Sequence, residues 1–133
     1  SENAVAISCL KEGFLTNLNQ SSLRFYKSVE YVDYNAIAIN QSEGKKIANK
    51  LKLNTRLIIL KNHGIIVLGN SIEELFHLTF HFEKCASIQL RLANKKATLV
   101  SKKISELTYK MHKSFKPVGK LSWNASMRVI KKF

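Results

Sequence analysis

Four consecutive aliphatic residues, Leu57-Ile58-Ile59-Leu60, are followed after one lysine by Asn62-His63-Gly64. The apolar run then resumes as Ile65-Ile66-Val67-Leu68. A strand with no polar alternation needs cover on both faces, so the first run predicts a central strand inside a layered fold. The Asn-His-Gly break predicts a sharp turn into a second strand, because glycine relaxes the steric limits on the backbone. Gly69-Asn70 turns the chain again. Ser71 and Glu74 then form an S-x-x-E pattern, which opens a long helix by reciprocal capping.

The rest of the chain supplies shorter elements of the same kinds. Ala4 to Leu10 reads as a helix stopped by Gly13, and Gln20 to Tyr26 as a short helix. Val29 to Val32 reads as a strand with Val29 and Tyr31 on one face, and Ala36 to Ile39 as a second short strand. Ser42 is placed to cap a helix reaching about Lys52, with Ile47, Ala48 and Leu51 on its buried side. The long helix runs to about Lys95 and is expected to bury Ile72, Leu75, Phe76, Thr79, Phe82, Glu83, Ala86 and Leu90. Ser101 caps a further helix to about Phe115, with Ile104, Leu107 and Met111 inward. Leu121 to Ile130 forms a last one, anchored by Trp123, Met127 and Ile130. Strands and helices in this order predict an α/β layer arrangement.

The 133 residues fit one domain, and 45% apolar content with one proline excludes a disordered chain. Basic residues number 22 against nine acidic, for a net charge of +13. The excess is concentrated after residue 100, where Glu106 is the lone acid among nine basic side chains. Such a tail suits weak, non-specific polyanion binding, or simply a solvated lysine-rich surface. No nucleic-acid module signature accompanies it. The distant Cys9 and Cys85 lack metal-ligand spacing and suit free thiols in a reducing, cytoplasmic compartment. The chain has no signal peptide or membrane-spanning run.

Candidate chemistry is sparse. His63, at a strand end beside a glycine, is placed either to bind a divalent metal such as zinc or to bond nearby backbone. Glu83 lies on the apolar stripe of the long helix, where a carboxylate requires a partner. It either orients a metal-binding histidine or makes a structural ion pair, and the Asn-His-Gly turn is a plausible partner for it. His77, His81 and Cys85 form an i, i+4, i+8 row. That row suits a metal in principle but lacks the glutamate of the zinc-protease motif. No P-loop, G-x-S-x-G or G-x-G-x-x-G motif occurs, which removes support for nucleotide-binding and serine-hydrolase functions and leaves no cofactor-binding residues to name.

The stretch Leu60-Lys61-Asn62-His63-Gly64 through Gly69-Asn70-Ser71-Ile72-Glu73-Glu74-Leu75-Phe76 resembles the signature of class II aldolase/adducin domains. Phe82-Glu83-Lys84-Cys85-Ala86-Ser87-Ile88-Gln89-Leu90 is similar to the helix that follows it. Arg24-Phe25-Tyr26 and Val29 to Tyr34 resemble the adducin-like branch. The resemblance implies a three-layer α/β/α sandwich whose N-terminal part is missing here, over residues 1–95, with 96–133 as a basic helical extension. It implies a metal-dependent carbon–carbon lyase of the sugar-phosphate aldolase type, in which zinc or another divalent metal held by three histidines acts as Lewis acid. The third of those ligands falls on His63. The other two, the catalytic acid and the phosphate-binding loops match nothing in this chain. Catalytic residues are therefore unassigned, metal binding is expected to be weak or absent, and the chain is expected to be inactive alone. The alternative is a non-catalytic, adducin-like interaction domain. The resemblance also implies a homo-oligomer, and a sugar-phosphate-like substrate only when the upstream part is present.

Overall fold

A computed structural model describes residues 1–34, 41–92 and 95–132. The expected strand at Ala36 to Ile39 lies outside the described residues. The elements are α1 (Glu2–Cys9), the short 3-10 helix η1 (Ser22–Phe25), β1 (Val29–Val32), α2 (Gln41–Lys50), β2 (Leu57–Leu60), β3 (Gly64–Val67), α3 (Ile72–Arg91), α4 (Lys102–Ser114) and α5 (Lys120–Ile130).

The uninterrupted aliphatic run of β2 is central. It pairs in parallel with β1, Val29 opposite Leu57, and antiparallel with β3, Leu57 opposite Val67. Leu57 and Ile59 point to one face and Ile58 to the other, and all three are almost fully buried. On the Leu57–Ile59 face the sheet meets α1 and α3. Ala4 and Ile7 of α1 and Leu78, Phe82, Cys85 and Ala86 of α3 complete one core, with Val29, Tyr31, Ile65 and Val67 packed against it. Phe14, Phe25 and Phe82 meet at its centre, with ring centroids 5.1 to 6.4 Å apart. Their edge-on and tilted contacts suit the aromatic quadrupole.

Ser71 caps α3 by accepting from the Glu74 N–H at 3.2 Å. The reciprocal half differs from the expected box: the Glu74 carboxylate accepts from the Asn70 backbone at 2.7 Å and from its side chain at 2.9 Å. The buried stripe is also rotated from the one expected. Leu78, Phe82, Cys85, Ala86 and Gln89 are buried, whereas Ile72 and Thr79 are exposed. The physical reason lies in Gln89. Its Nε2 donates to the Gly13 carbonyl at 2.6 Å and its Oε1 accepts from Leu15 N–H at 2.8 Å. A polar side chain enters the core here because it satisfies two backbone groups of the α1–η1 loop. In that same loop Gly13 takes a left-handed φ of 67° and lies against Tyr31, whose hydroxyl accepts from Phe14 N–H at 3.0 Å.

Three other expectations fail. In α2, Ile47 is half-buried and Ala48 exposed, and the following Leu51 is exposed too. In α4, Ile104, Leu107 and Met111 face solvent. The helix instead packs its polar side on η1: Ser105 is buried, Lys27 pairs with Glu106 at 2.7 Å, and the Tyr26 and Tyr109 rings meet edge-on. In α5, Ile130 is exposed, while Trp123 meets Phe76 of α3 edge-on at 5.6 Å. Gly119 makes that docking possible, because a Cβ there would strike the Glu73 carbonyl. No helix among the described residues is long and apolar enough to cross a membrane.

Candidate functional site

The turn between β2 and β3 is pinned from three sides by backbone bonds. Lys61 N–H donates to the Val32 carbonyl at 2.9 Å, Asn62 N–H to Ser8 of α1 at 3.0 Å, and His63 N–H to Leu60 at 3.0 Å. Asn62 adopts φ 57°, a left-handed conformation that asparagine tolerates better than most residues. The imidazole of His63 is exposed, and among the described residues its ring accepts or donates no hydrogen bond. It is thus a free nitrogen donor presented on a fixed turn. An adjacent cleft of about 390 Å³ opens between the end of α1, Tyr31, Ile59 and Lys61, and its lining does not include His63.

Glu83 is half-buried on α3, and its partners are not at the Asn-His-Gly turn. Its carboxylate accepts from the Ser1 hydroxyl and, at 3.2 Å, from Asn3 Nδ2. Ser1 is the N-cap of α1, taking the Ala4 N–H at 3.1 Å. The carboxylate therefore holds the residue that caps α1 and adds negative charge where the helix dipole is positive. Glu83→Ala is expected to lower the melting temperature, with a loss of about 1 kcal/mol. Glu83→Gln, which keeps an acceptor for Ser1, loses less. Thermal denaturation followed by circular dichroism checks this: two variants that melt like the parent would contradict the capping role.

The row His77, His81, Cys85 does not form a metal site. Among the described residues no group of three His, Cys, Asp or Glu side chains stands close enough to hold an ion. Cys85 turns into the core, where burial pushes its thiol up to about 11, against the pull of Arg24. A protonated, buried thiol is a poor ligand. His77 and His81 stack edge-on at 4.4 Å, but Arg24 of η1 occupies His77: its Nη1 donates to His77 Nε2 at 2.9 Å. Arginine has no acceptor, so that nitrogen carries no proton and any proton resides on Nδ1, facing Ser122 Oγ at 3.5 Å. Burial first, then Arg24, depresses both histidines, His81 to about 4. Arg24 and His112 were invisible as a pair with this row, because η1 and α4 reach it only in three dimensions.

Residues 1–90 match the family model described as Class II Aldolase and Adducin N-terminal domain. The chain belongs to the class II aldolase/adducin family. A Pseudomonas aeruginosa protein assigned by its name to aldolase class 2 is 31% identical over 96 residues, covering 72% of this chain and 36% of that protein. Human gamma-adducin is 33% identical over 86 residues, covering 65% of this chain and 12% of its own length. The chain thus spans about a third or less of these curated relatives. A crystal structure of an aldolase II superfamily protein from Pseudomonas syringae superposes with a TM-score of 0.89, covering 99% of this chain and 54% of that one at 24% identity. That likeness establishes the class II aldolase-like α/β fold.

Proposed function

We propose that this chain supplies part of the divalent-metal site of a carbon–carbon lyase of the sugar-phosphate aldolase type, with His63 as its metal-binding donor. The observation that carries the reading is the exposed, unbonded imidazole on the pinned Asn62–Gly64 turn. Zinc bound there would act as a Lewis acid on a substrate carbonyl. A catalytic zinc needs about three protein ligands. His63 is one, and no residue of this chain matches the family's other two, so the residues present do not hold the ion by themselves. What the chain's own residues do is fix the donor: Asn62 sets the backbone and its N–H ties the turn to α1. Glu83 acts through the α1 cap, as a structural residue. Residues 96–133 serve as a helical extension of the domain over 1–95, and copies of the chain associate as a homo-oligomer in a cytoplasmic setting.

A non-catalytic, adducin-like interaction domain is the second reading. The similarity to gamma-adducin and the single metal donor favour it.

Zinc titration with histidine-labelled protein tests the proposal by NMR. The His63 ring is expected to respond first, with a Kd weaker than about 10 µM, and zinc binding followed by calorimetry is lost in His63→Ala. The zinc-loaded chain is expected to cleave no ketose phosphate. A zinc ion retained stoichiometrically through dialysis, or turnover by the isolated chain, overturns the single-donor reading. A silent His63 in a discrete oligomer supports the second reading instead.

A further inference from the structure

We propose that Arg24, His81 and His112 form an oxyanion-binding site that takes a phosphate group. It is built from η1, α3 and α4, none of which carries His63. The argument begins with charge. Arg24 is half-buried, and among the described residues its hydrogen bonds go to the Ser21 carbonyl, through Nε at 3.0 Å, and to His77. No carboxylate pairs with it there, and a partly desolvated cation without an anion is unfavourable. A guanidinium offers five N–H donors, of which those two bonds use two, so the remainder are open to an acceptor.

The neighbours are arranged to add to that field. His77 is locked as an acceptor toward Arg24, which fixes the guanidinium plane. His81 lies beside His77, and its ring makes no hydrogen bond among the described residues. His112 reaches over from α4 with Nε2 3.1 Å from the Gln20 carbonyl. A carbonyl only accepts, so Nε2 carries the proton and Nδ1 is left free. All four side chains retain a solvent-facing part. The other charged groups felt at the cluster are Lys84 and Glu74 on α3. Lys84 adds positive charge. Glu74 is already engaged by Arg56 at 3.5 Å and by Asn70. Cys85 is neutral at physiological pH.

A phosphate fits this chemistry because it presents several acceptors to a fixed guanidinium and carries enough charge to favour imidazolium beside it. In the free protein, burial and then Arg24 lower His81 to about 4, and burial lowers His112 too, against the opposing pull of its bond to the Gln20 carbonyl. A bound phosphate anion offsets the Arg24 repulsion and raises the pKa of these rings, so between pH 7 and 5 a proton moves onto them, from solvent where the dianion binds and from the ligand itself where dihydrogen phosphate binds. The lysine-rich tail, by contrast, binds polyanions through exposed ammonium groups that do not titrate in that range.

Titration of the chain with inorganic phosphate at constant ionic strength, read from histidine ring resonances, tests the site. The expected result is saturable perturbation of His81 and His112 with Kd on the order of 1 mM, and an upward shift in the titration of both rings when phosphate is bound. Arg24→Gln is expected to weaken binding about 10- to 100-fold. Because Arg24 also orders η1, the double variant His81→Gln, His112→Gln provides an independent arm, followed by the His77 ring and by calorimetry, in which binding weakens while Arg24 stays in place. Two results overturn the proposal. One is a non-saturable response. The other is a response unchanged in both variants, which would place phosphate on the tail lysines.

Discussion

Gln89→Met is expected to destabilise the protein by about 3–5 kcal/mol, although it keeps the side chain's length and adds apolar character. The loss follows from the two backbone groups that Gln89 satisfies, the Gly13 carbonyl and the Leu15 N–H. Each buried polar group left without a partner costs about 1–3 kcal/mol. Gln89→Glu separates the two bonds. The carboxylate still accepts from Leu15, but it faces the Gly13 carbonyl with no proton to donate. Its folded-state pKa is therefore raised above the unfolded value, so its protonated form is the one the fold favours. Stability of Gln89→Glu is highest below the unfolded glutamate pKa and is lost as pH rises through the folded one. Chemical denaturation at pH 4 and pH 7 checks this. A Met variant within about 1 kcal/mol of the parent would mean that the loop re-satisfies itself.

Gly13→Ala is expected to cost about 2–5 kcal/mol, from two sources that can be separated. The residue sits at φ 67°, where an L side chain crowds its own backbone. The added Cβ would also lie 2.5 Å from the Tyr31 hydroxyl and 2.8 Å from its ring, closer than real contacts allow. Relief requires Tyr31 to move, which breaks its hydrogen bond with Phe14 N–H. In a Tyr31→Ala background the steric part disappears, and the further cost of Gly13→Ala falls to about 1–2 kcal/mol of backbone strain. Equal costs in the two backgrounds would show that the loop, not the tyrosine, sets the penalty.

These two positions also show where the sequence was readable. The β2 run, the Asn62–Gly64 break and the Ser71 cap each announce themselves by local chemistry, and the structure places a strand, a turn and a helix start there. The phase of α3 did not follow from them. Apolar residues such as Ile72, Phe76, Phe80 and Ile88 are spread around that helix, so periodicity leaves several stripes open. The choice among them is made by Gln89 and Cys85, which a hydrophobic count scores as polar or small. In α4 the assumption itself fails. An apolar stripe faces out because Glu106, Tyr109 and His112 each meet a specific partner on or beside η1, and partner identity leaves no periodic trace. Arg24 is legible in the family pattern, but the histidines it meets come from helices distant in sequence. The turn that carries His63 was legible as a motif, and it is fixed by backbone bonds that any sequence reading would miss.

The contacts that close the core also set the order in which it can assemble. Glu83 meets Ser1 and Asn3 across 82 and 80 positions, and Gln89 meets Gly13 and Leu15 across 76 and 74. Among the described residues the one backbone hydrogen bond from the β2–β3 turn to α1, Asn62 N–H to the Ser8 carbonyl, itself spans more than fifty positions. During synthesis at roughly 5–20 residues per second, α1 therefore waits seconds for α3, whose Phe82 and Ala86 complete the cluster around Ile7 and Ala4. An eight-residue helix is too short to persist alone. Docking of α1 onto α3 is therefore a late, long-range event. The interval before α3 emerges is when the nascent chain is most open to chaperones and to aggregation.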